Sequence, residues 1–271
     1  MNSNKDLAAP ERSTAQRVAI LALAILQIVA TLLPGLGLGE PIGDRSNVAR
    51  TAITPAGWAF SIWGPLFTGS VLYALYQFAP RQRDSALLAR IGWASAGAFL
   101  GNAIWALYTQ FLGLSAGSAL IIIFTLCCLL LVYRAFAEAR EPFTRGEQFL
   151  VVLPLSALAA WLSAATIVNV AASLKFHGVD AGSATPLVAG GIVMVGGLIA
   201  TVALWKGRAN PWYAPVFLWA LAGIYSRGAE AEVDIATMVA AAMVILALAI
   251  GLGRKSWRDR WFAATPKSTS Q

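Results

Sequence analysis

Residues 53–67 of the chain have the sequence ITPAGWAFSIWGPLF, and they indicate a binding cavity within an apolar helix. Trp58, Phe60 and Trp63 lie beside prolines and glycines, and the chain stays apolar as far as Phe78. A helix that only spans lipid needs leucine and alanine, whereas bulky rings between glycine and proline suit a helix mouth that lines a cavity. An aromatic belt at the membrane surface is the alternative, and it suits Trp58. Trp63 lies five residues further in, about 7 Å deeper along a helix, so a belt explains it less well.

The composition predicts a membrane protein. The 271 residues are 58% hydrophobic and 12% charged, against about 25% charged in an average soluble domain. A soluble fold of this size does not hide so much apolar surface, so we expect a polytopic protein in contact with the lipid bilayer. The net charge of +7 does not indicate binding of nucleic acid, because the basic residues follow the orientation rule of membrane proteins.

Eight apolar runs are near the length needed to cross a bilayer. They are preceded by a polar tail at residues 1–16 and followed by a basic cytoplasmic tail at residues 254–271. The connection at residues 36–53 is long and rich in glycine, and it is either a lid over a pocket or a plain flexible loop. The predicted spans are residues 17–35, 54–79, 87–112, 115–137, 147–174, 185–206, 211–227 and 234–253.

The basic residues predict the orientation of these spans. If the N-terminus is cytoplasmic, 16 of the 20 lysines and arginines fall in inner segments, and the outer segments hold the other four, Arg45, Arg50, Lys175 and Arg227. This asymmetry favours a cytoplasmic N-terminus and C-terminus, and it supports an even number of spans. The frequent use of alanine, arginine and leucine suggests a bacterial inner membrane.

The sequence lacks the residue patterns of soluble enzymes. Its single histidine, His177, lies at a predicted helix end, which argues against a histidine metal site or a Ser-His-Asp triad. No lysine and no acid lies in the middle of a span, so a Schiff base or an intramembrane proton relay has little support. Glu230, Glu232 and Asp234 suggest a solvated outer loop. We therefore predict neither a catalytic residue nor a metal site.

Aromatic and amide side chains remain as candidates for a binding site. Asn102 and Trp105 are three residues apart and share one helix face, and Trp161 and Asn169 are two helical turns apart. A buried asparagine in lipid faces either a cavity or a neighbouring helix that it holds in place, and both interpretations stay open. In the predicted topology these groups reach the same outer half of the membrane as residues 58–63. This arrangement predicts a hydrophobic pocket for a large, flat, apolar ligand.

At these residues the chain resembles the TspO/translocator protein family, also called tryptophan-rich sensory proteins or peripheral benzodiazepine receptors. The second helix of that family opens with a proline-rich tryptophan motif. Its third helix carries N-x-x-W, and its fifth carries a tryptophan followed eight positions later by an asparagine. Here one residue is missing between Phe60 and Trp63, and Ala56 replaces a second proline. The matching residues are Pro55, Trp58, Phe60, Trp63, Asn102, Trp105, Trp161 and Asn169.

The resemblance implies an all-helical membrane bundle with a TspO-like five-helix core at residues 17–175 and about three additional helices at residues 176–253. It implies a binding or sensory role for a flat hydrophobic ligand such as a porphyrin or haem, with no cofactor required. The eight matching residues would then be the ligand-binding residues. Some bacterial relatives are implicated in light-dependent porphyrin breakdown, so the question of an enzymatic activity stays open, although no activity is the favoured answer.

Two alternatives follow from helix-breaking and small residues. Proline and glycine interrupt the second and seventh predicted helices, and broken helices mark transport sites. A small-solute transporter or channel is therefore the alternative function. Gly196 and Ala200 have the small-xxx-small spacing that lets helices pack closely. That packing occurs either within the chain or between the two copies of a homodimer.

Overall fold

The computed structural model describes residues 12–228 and 230–262 of the chain, and the regular structure of these residues is helical. Short connections join most of the long helices, and these helices pack against one another in a bundle. This arrangement confirms the predicted polytopic helical membrane protein. The ten helices are α1 (Thr14–Leu32), α2 (Ile42–Val48), α3 (Trp63–Phe78), α4 (Ala86–Leu112), α5 (Ala116–Glu138), α6 (Arg145–Phe176), α7 (Thr185–Lys206), α8 (Tyr213–Tyr225), α9 (Ala231–Gly253) and α10 (Lys255–Phe262).

Length and composition identify five of these helical segments as candidate membrane spans, whereas the sequence predicts eight spans. Of the other long helices, α8 is apolar but shorter, and α3 has 16 residues. The first and fourth of these segments include a 3₁₀ turn that adjoins α1 and α7, respectively. The five segments are Thr14–Leu36, Ala116–Glu138, Arg145–Phe176, Gly182–Lys206 and Ala231–Gly253.

Helix α6 lies at the centre of the bundle. It packs against α5, α8 and α3, and it is the most buried of the five candidate spans. On one side of it, α1 packs on α3 and α4, and α4 packs on α5. On the other side, α7 packs along α9, and α8 lies between α9 and α6. Helix α6 therefore lies between the helices that precede it and the helices that follow it.

Local sequence signals place several helix ends. Ser13 and Ser85 cap α1 and α4, because each side-chain oxygen accepts a hydrogen bond from an amide of the first turn. Thr144 and Glu147 form a capping box at the start of α6. Within α6, Gln148–Val152 adopt a π-helical turn before the α-helix continues. These signals agree with the predicted spans to within a few residues.

The N-terminal segment is helical from an earlier residue than the sequence predicts. Helix α1 begins at Thr14, within the predicted polar tail, and Arg12 is buried. The guanidinium of Arg12 donates hydrogen bonds to the carbonyl oxygens of Gln77, at 3.0 Å, and Gln82, at 3.2 Å. It therefore satisfies backbone acceptors at the end of α3 and in the turn that follows. The rest of the predicted tail, residues 1–11, lies outside the described residues.

The C-terminal segment differs from the predicted tail in the same way. Helix α10 begins at Lys255, and Trp261 is buried against the bundle. The indole Nε1 of Trp261 donates to the carbonyl oxygen of Arg208 at 2.8 Å, and its ring stacks on Phe143 with the centroids 5.7 Å apart. The basic segment therefore begins as a packed helix. Residues 263–271 lie outside the part of the chain that the structure describes.

The aromatic segment at residues 53–67 is only partly α-helical. Gly57–Ile62 form a 3₁₀ helix, and α3 begins at Trp63 rather than at residue 54. The backbone amide of Ala56 donates to the carbonyl oxygen of Gly223 on α8 at 2.8 Å. The prolines and glycines thus produce a non-α entry that lies against α8. We call residues 53–62 the entry segment.

The small residues of α7 pack within the chain. A Cβ atom added at Gly197 would lie 2.6 Å from the Cβ atom of Ala240 on α9, so only glycine allows this approach. Gly196 faces Ile167 of α6, and Ala200 is buried. The intramolecular interpretation therefore accounts for Gly196, Gly197 and Ala200. A homodimer stays a prediction that does not depend on them.

Candidate ligand-binding site

Two adjoining chambers lie at the end of the bundle where α4 and α6 end. The large chamber has a volume of about 520 Å³, and the small chamber has a volume of about 50 Å³. Because they share part of their lining, they form one composite site. The shared residues are Ser46, Thr54, Pro55, Phe60, Trp63 and Trp105.

Seven of the eight residues that the sequence predicts for the site line these chambers. They come from the entry segment, α3, α4 and α6, so the bundle brings together residues that are far apart in the sequence. Pro55, Phe60, Trp63 and Trp105 line both chambers, Asn102 lines the large chamber, and Trp161 and Asn169 line the small chamber.

The eighth predicted residue, Trp58, lies outside both chambers. Its side chain is 44% exposed, and its Nε1 donates to the hydroxyl of Ser226 at 3.0 Å. Its ring meets Trp219 of α8 edge to face, with the centroids 4.8 Å apart. Trp58 therefore joins the entry segment to the end of α8. This position fits the aromatic belt that the sequence offers as the alternative for Trp58.

An aromatic cluster, consisting of Phe60, Trp63, Phe67, Trp105 and Trp161, lines the site. The ring of Trp63 stacks on Phe67, at a centroid distance of 5.1 Å, and on Trp105, at 6.5 Å. Trp161 meets both Trp63 and Phe60 edge to face, at 6.0 Å in each case. Stacked and edge-to-face pairs are the geometries that aromatic rings prefer. The rings therefore hold one another in position around the cavity.

The two asparagines both face the cavity and hold neighbouring helices, so both interpretations of the sequence apply. Asn102 donates from Nδ2 to Oε1 of Gln27 on α1, and Asn169 accepts at Oδ1 from the hydroxyl of Ser118 on α5, both at 3.1 Å. Each asparagine is 4% exposed, and each lines a chamber. They therefore tie neighbouring helices together and also place an amide at the cavity wall.

Two indole N–H groups at the site have no hydrogen-bond partner among the described residues. They are the Nε1 groups of Trp105 and Trp161, and both are buried. A buried donor without a partner costs about 1–3 kcal/mol. Both tryptophans line the small chamber, so an acceptor atom of a bound molecule is in a position to satisfy them.

The loop at residues 36–53 folds over the site. The carboxyl end of α4 holds it in place, because the guanidinium of Arg45 donates to the carbonyl oxygen of Gln110 at 3.2 Å and also pairs with Glu40 at 3.1 Å. Such an ordered and anchored loop agrees with the lid interpretation rather than with a plain flexible connection. The loop contains α2, and five of its residues line the large chamber, namely Ile42, Gly43, Ser46, Asn47 and Arg50.

The sequence interpretation missed the contribution of α8 to the site. Ala220 and Ile224 of α8 line the small chamber, and Arg227, just beyond its end, lines the large chamber. A Cβ atom added at Gly223 would lie 2.6 Å from the Cβ atom of Ala59, so glycine permits the close approach to the entry segment. The sequence signals are the proline and glycine that interrupt the seventh predicted helix and the pair of small residues Ala220 and Gly223 on one helix face.

Both charged side chains that line the site are basic. Arg50 and Arg227 line the large chamber, and no acidic side chain of the described residues lines either chamber. The single histidine is elsewhere, where Nε2 of His177 accepts a hydrogen bond from the amide of Ala116 at 3.3 Å and so caps the start of α5. Within the described ranges, no group of three His, Cys, Asp or Glu side chains is arranged to hold a metal ion.

The fold and the site define a polytopic helical membrane protein with an aromatic-walled cavity at one end of its bundle. The model of the TSPO-like protein family matches residues 13–252. The chain therefore belongs to the TSPO-like protein family, which confirms the resemblance and implies a TspO-type binding or sensory role in the membrane. The match extends beyond the residues that carry the motifs and includes α7, α8 and α9. No curated protein and no solved structure matches the chain.

Proposed function

We propose that this protein binds or senses a large, flat, hydrophobic ligand such as a porphyrin. The observation that carries the proposal is the aromatic cluster around the two chambers. Flat apolar molecules gain from burial against tryptophan rings and from stacking on their faces. The large chamber, at about 520 Å³, also falls within the range of about 300–1,000 Å³ that is usual for small-molecule sites. The seven chamber residues among the eight predicted ones would contact or support the ligand.

We place this site in the outer half of a bacterial inner membrane. In this arrangement α3 with its 3₁₀ entry, α4 and α8 join the five candidate spans to give eight, and both termini are cytoplasmic. Helix α8 has 13 residues and is about 20 Å long, less than the roughly 30 Å of hydrocarbon, so its flanking residues complete the crossing. The asymmetry of the basic residues supports this orientation. Residues 17–175 form the TspO-like core. The helices at residues 176–253 pack on this core, and α8 is the one that lines the site.

Transport of a small solute is the second candidate function. The 3₁₀ helix at Gly57–Ile62 supports it, because discontinuous helices mark the binding sites of transporters. Solute uptake by proteoliposomes above that of protein-free liposomes would favour this function. An enzymatic breakdown of the ligand is tested separately, by comparing the absorbance of bound porphyrin after equal times in light and in darkness.

Titration of the purified protein with protoporphyrin in detergent tests the proposed binding function. Saturable quenching of tryptophan fluorescence, corrected with free tryptophan for optical absorption, is the expected result. Trp63→Ala and Trp161→Ala should each weaken binding about three- to tenfold. The reason is that an aromatic pair contributes about 0.5–1.5 kcal/mol beyond burial, and about 1.4 kcal/mol is a factor of ten in affinity.

The matched control is Trp93→Ala. Trp93 lies on α4, is 57% exposed and lines neither chamber, so its replacement should leave the affinity unchanged. The variants keep at least nine of the ten tryptophans of the chain as reporters. Quenching that never saturates, or the same affinity in all four proteins, would contradict the proposed pocket.

A further inference from the structure

The charge of the large chamber narrows the class of ligand that the site accepts. Arg50 and Arg227 are the charged residues in its lining, and neither forms an ion pair with a carboxylate of the described residues. Glu230 lies three residues after Arg227 in the chain, yet it does not pair with it. The chamber therefore carries two positive charges that the described part of the protein does not neutralise locally.

Neutral oxygen atoms hold both arginines in position. Nη1 of Arg227 donates to the carbonyl oxygen of Thr54 at 3.3 Å, and the guanidinium of Arg50 donates to the side-chain oxygen of Asn47. A guanidinium has five N–H donors, so these contacts leave most of them for a ligand. Both side chains line the same chamber, and burial, followed by the charge of Arg50, lowers the pKa of Arg227. An anion bound between them would offset this effect of the charge of Arg50.

The same chamber combines these charges with aromatic walls. Trp63, Phe67 and Trp105 line it together with the two arginines. A ligand that fills the chamber therefore meets ring faces over one part of its surface and guanidinium groups over another. Such a lining is amphipathic. A wholly apolar ligand would leave the half-buried Arg227 without an anionic partner and would cover part of the hydration of the exposed Arg50, which is unfavourable.

We propose that the ligand is an amphipathic acid, with a flat apolar body against the aromatic cluster and at least one carboxylate between Arg50 and Arg227. The planar guanidinium fork matches the two oxygens of a carboxylate. This inference rests on the proposed function and adds the chemical class of the ligand. It also assigns a binding role to Arg227, a residue that follows α8 and lies outside the five-helix core.

A comparison of protoporphyrin, which carries two carboxylates, with its neutral dimethyl ester tests the inference. The unmodified protein should bind the diacid about tenfold more tightly than the ester, which corresponds to about 1.4 kcal/mol. Arg50→Gln and Arg227→Gln should each reduce this preference several-fold by weakening the diacid and leaving the ester unchanged. Because the preference is a ratio measured within one protein, a variant that is partly unfolded lowers both affinities and keeps the ratio.

Arg81→Gln and Arg83→Gln are the matched controls. Both arginines are exposed in the connection between α3 and α4, at the opposite end of the bundle. Each control removes one positive charge without touching the site, so the preference for the diacid should stay as it is in the unmodified protein. A preference that falls equally in the controls would show a nonspecific effect of net charge and would overturn the inference.

The remaining outcomes separate this inference from the proposed function. Saturable binding of diacid and ester with equal affinity would overturn the carboxylate site and leave the proposed function standing. Saturable binding of neither probe would overturn the proposed function, and the inference would fall with it. Loss of the preference when phosphatidylglycerol is added in excess would assign the arginines to a lipid headgroup instead of the ligand.

Discussion

The side chain of Trp161 is 3% exposed, and yet its Nε1 has no acceptor among the described residues. Trp105 on α4 is half-buried, and its Nε1 is likewise buried and unpaired. Other buried polar atoms of the bundle are also unpaired, but these two tryptophans differ from them because they line a cavity. At the scale of single residues, the site therefore has hydrogen-bond donors ready for an acceptor on a ligand.

Single glycines also decide how closely the helices approach, and α7 offers a matched pair for testing this. Gly197→Ala should lower the melting temperature in detergent, because the added Cβ would lie 2.6 Å from the Cβ atom of Ala240 and overpacking costs about 1–3 kcal/mol. Gly191→Ala should leave the melting temperature unchanged or raise it. A Cβ atom at Gly191 meets no atom within 4 Å, and alanine is about 1 kcal/mol more favourable in a helix.

Thermal unfolding followed by tryptophan fluorescence measures both variants under the same conditions. Equal melting temperatures for the two variants would show that α7 and α9 separate enough to accept the methyl group, and that the contact seen here is not essential.

At the scale of elements, the loop that contains α2 acts as the cover of the large chamber. Gly39 has a φ of +74°, in the left-handed region, and packs on Gln110, which brings the loop against α4. Arg45 then donates to the carbonyl oxygens of Gln110 and Phe111 at the end of α4. A cation at this position suits the negative end of the helix dipole. The loop is thus attached to the bundle by a small number of polar contacts.

Replacement of Arg45 should loosen this cover and keep the fold. Arg45→Gln removes the ion pair with Glu40 and the hydrogen bonds to α4. A typical hydrogen bond contributes about 0.5–1.5 kcal/mol to stability, and an exposed ion pair contributes less. We expect amide hydrogen exchange to increase in residues 42–48 without ligand. We also expect a several-fold faster dissociation of bound protoporphyrin in stopped-flow measurements.

Arg83→Gln serves again as the control, since Arg83 is exposed and distant from the loop. Faster exchange together with an unchanged dissociation rate would mean that the loop covers the chamber without controlling release. Unchanged exchange would show that the contacts of Arg45 do not hold the loop.

On the scale of the whole molecule, the site spans the two halves of the chain. Helix α8 packs on α6 and on the entry segment, and its indole Trp219 donates to the carbonyl oxygen of Ala59 at 2.9 Å. The cavity wall therefore consists of residues from 17–175 and of residues from α8 and its end. This arrangement agrees with a family match that continues to residue 252.

The proposed eight spans predict the side of the membrane on which each connection lies. In a variant that lacks both native thiols, Cys127→Ala with Cys128→Ala, single cysteines at Asp180 and Glu230 should react with a membrane-impermeant maleimide from the outside. Cysteines at Arg83 and Lys206 should react only after the membrane is permeabilised. If α8 crosses the bilayer, positions 206 and 230 should be labelled from opposite sides of the membrane.

Intact cells and inverted membrane vesicles provide reciprocal readouts for the same four variants. Labelling of positions 206 and 230 from one side would contradict a crossing by α8 and therefore the count of eight. Labelling of position 83 from the outside would contradict the cytoplasmic N-terminus.

Helical periodicity and residue type were enough to select seven side chains that line the chambers. Asn102 and Trp105 share a face because they are three residues apart, and Trp161 and Asn169 share one because they are two turns apart. These relations are local, so they hold whatever the helices pack against. Trp58 lies outside both chambers. Its contact with Ser226 joins residues that are 168 positions apart in the chain, and local spacing does not predict such a contact.

The amino-acid sequence sufficed for the membrane class, the helices and the family, because apolar composition and helical spacing are properties of short segments. It did not predict the contribution of α8 to the chambers or the presence of Arg50 and Arg227 in one lining, and it left open whether the loop at residues 36–53 is a lid. Those features arise where helices meet, as at Gly223 with Ala59 and at Gly197 with Ala240. Such contacts depend on the shapes of two distant surfaces at once, and only the packed bundle brings those surfaces together.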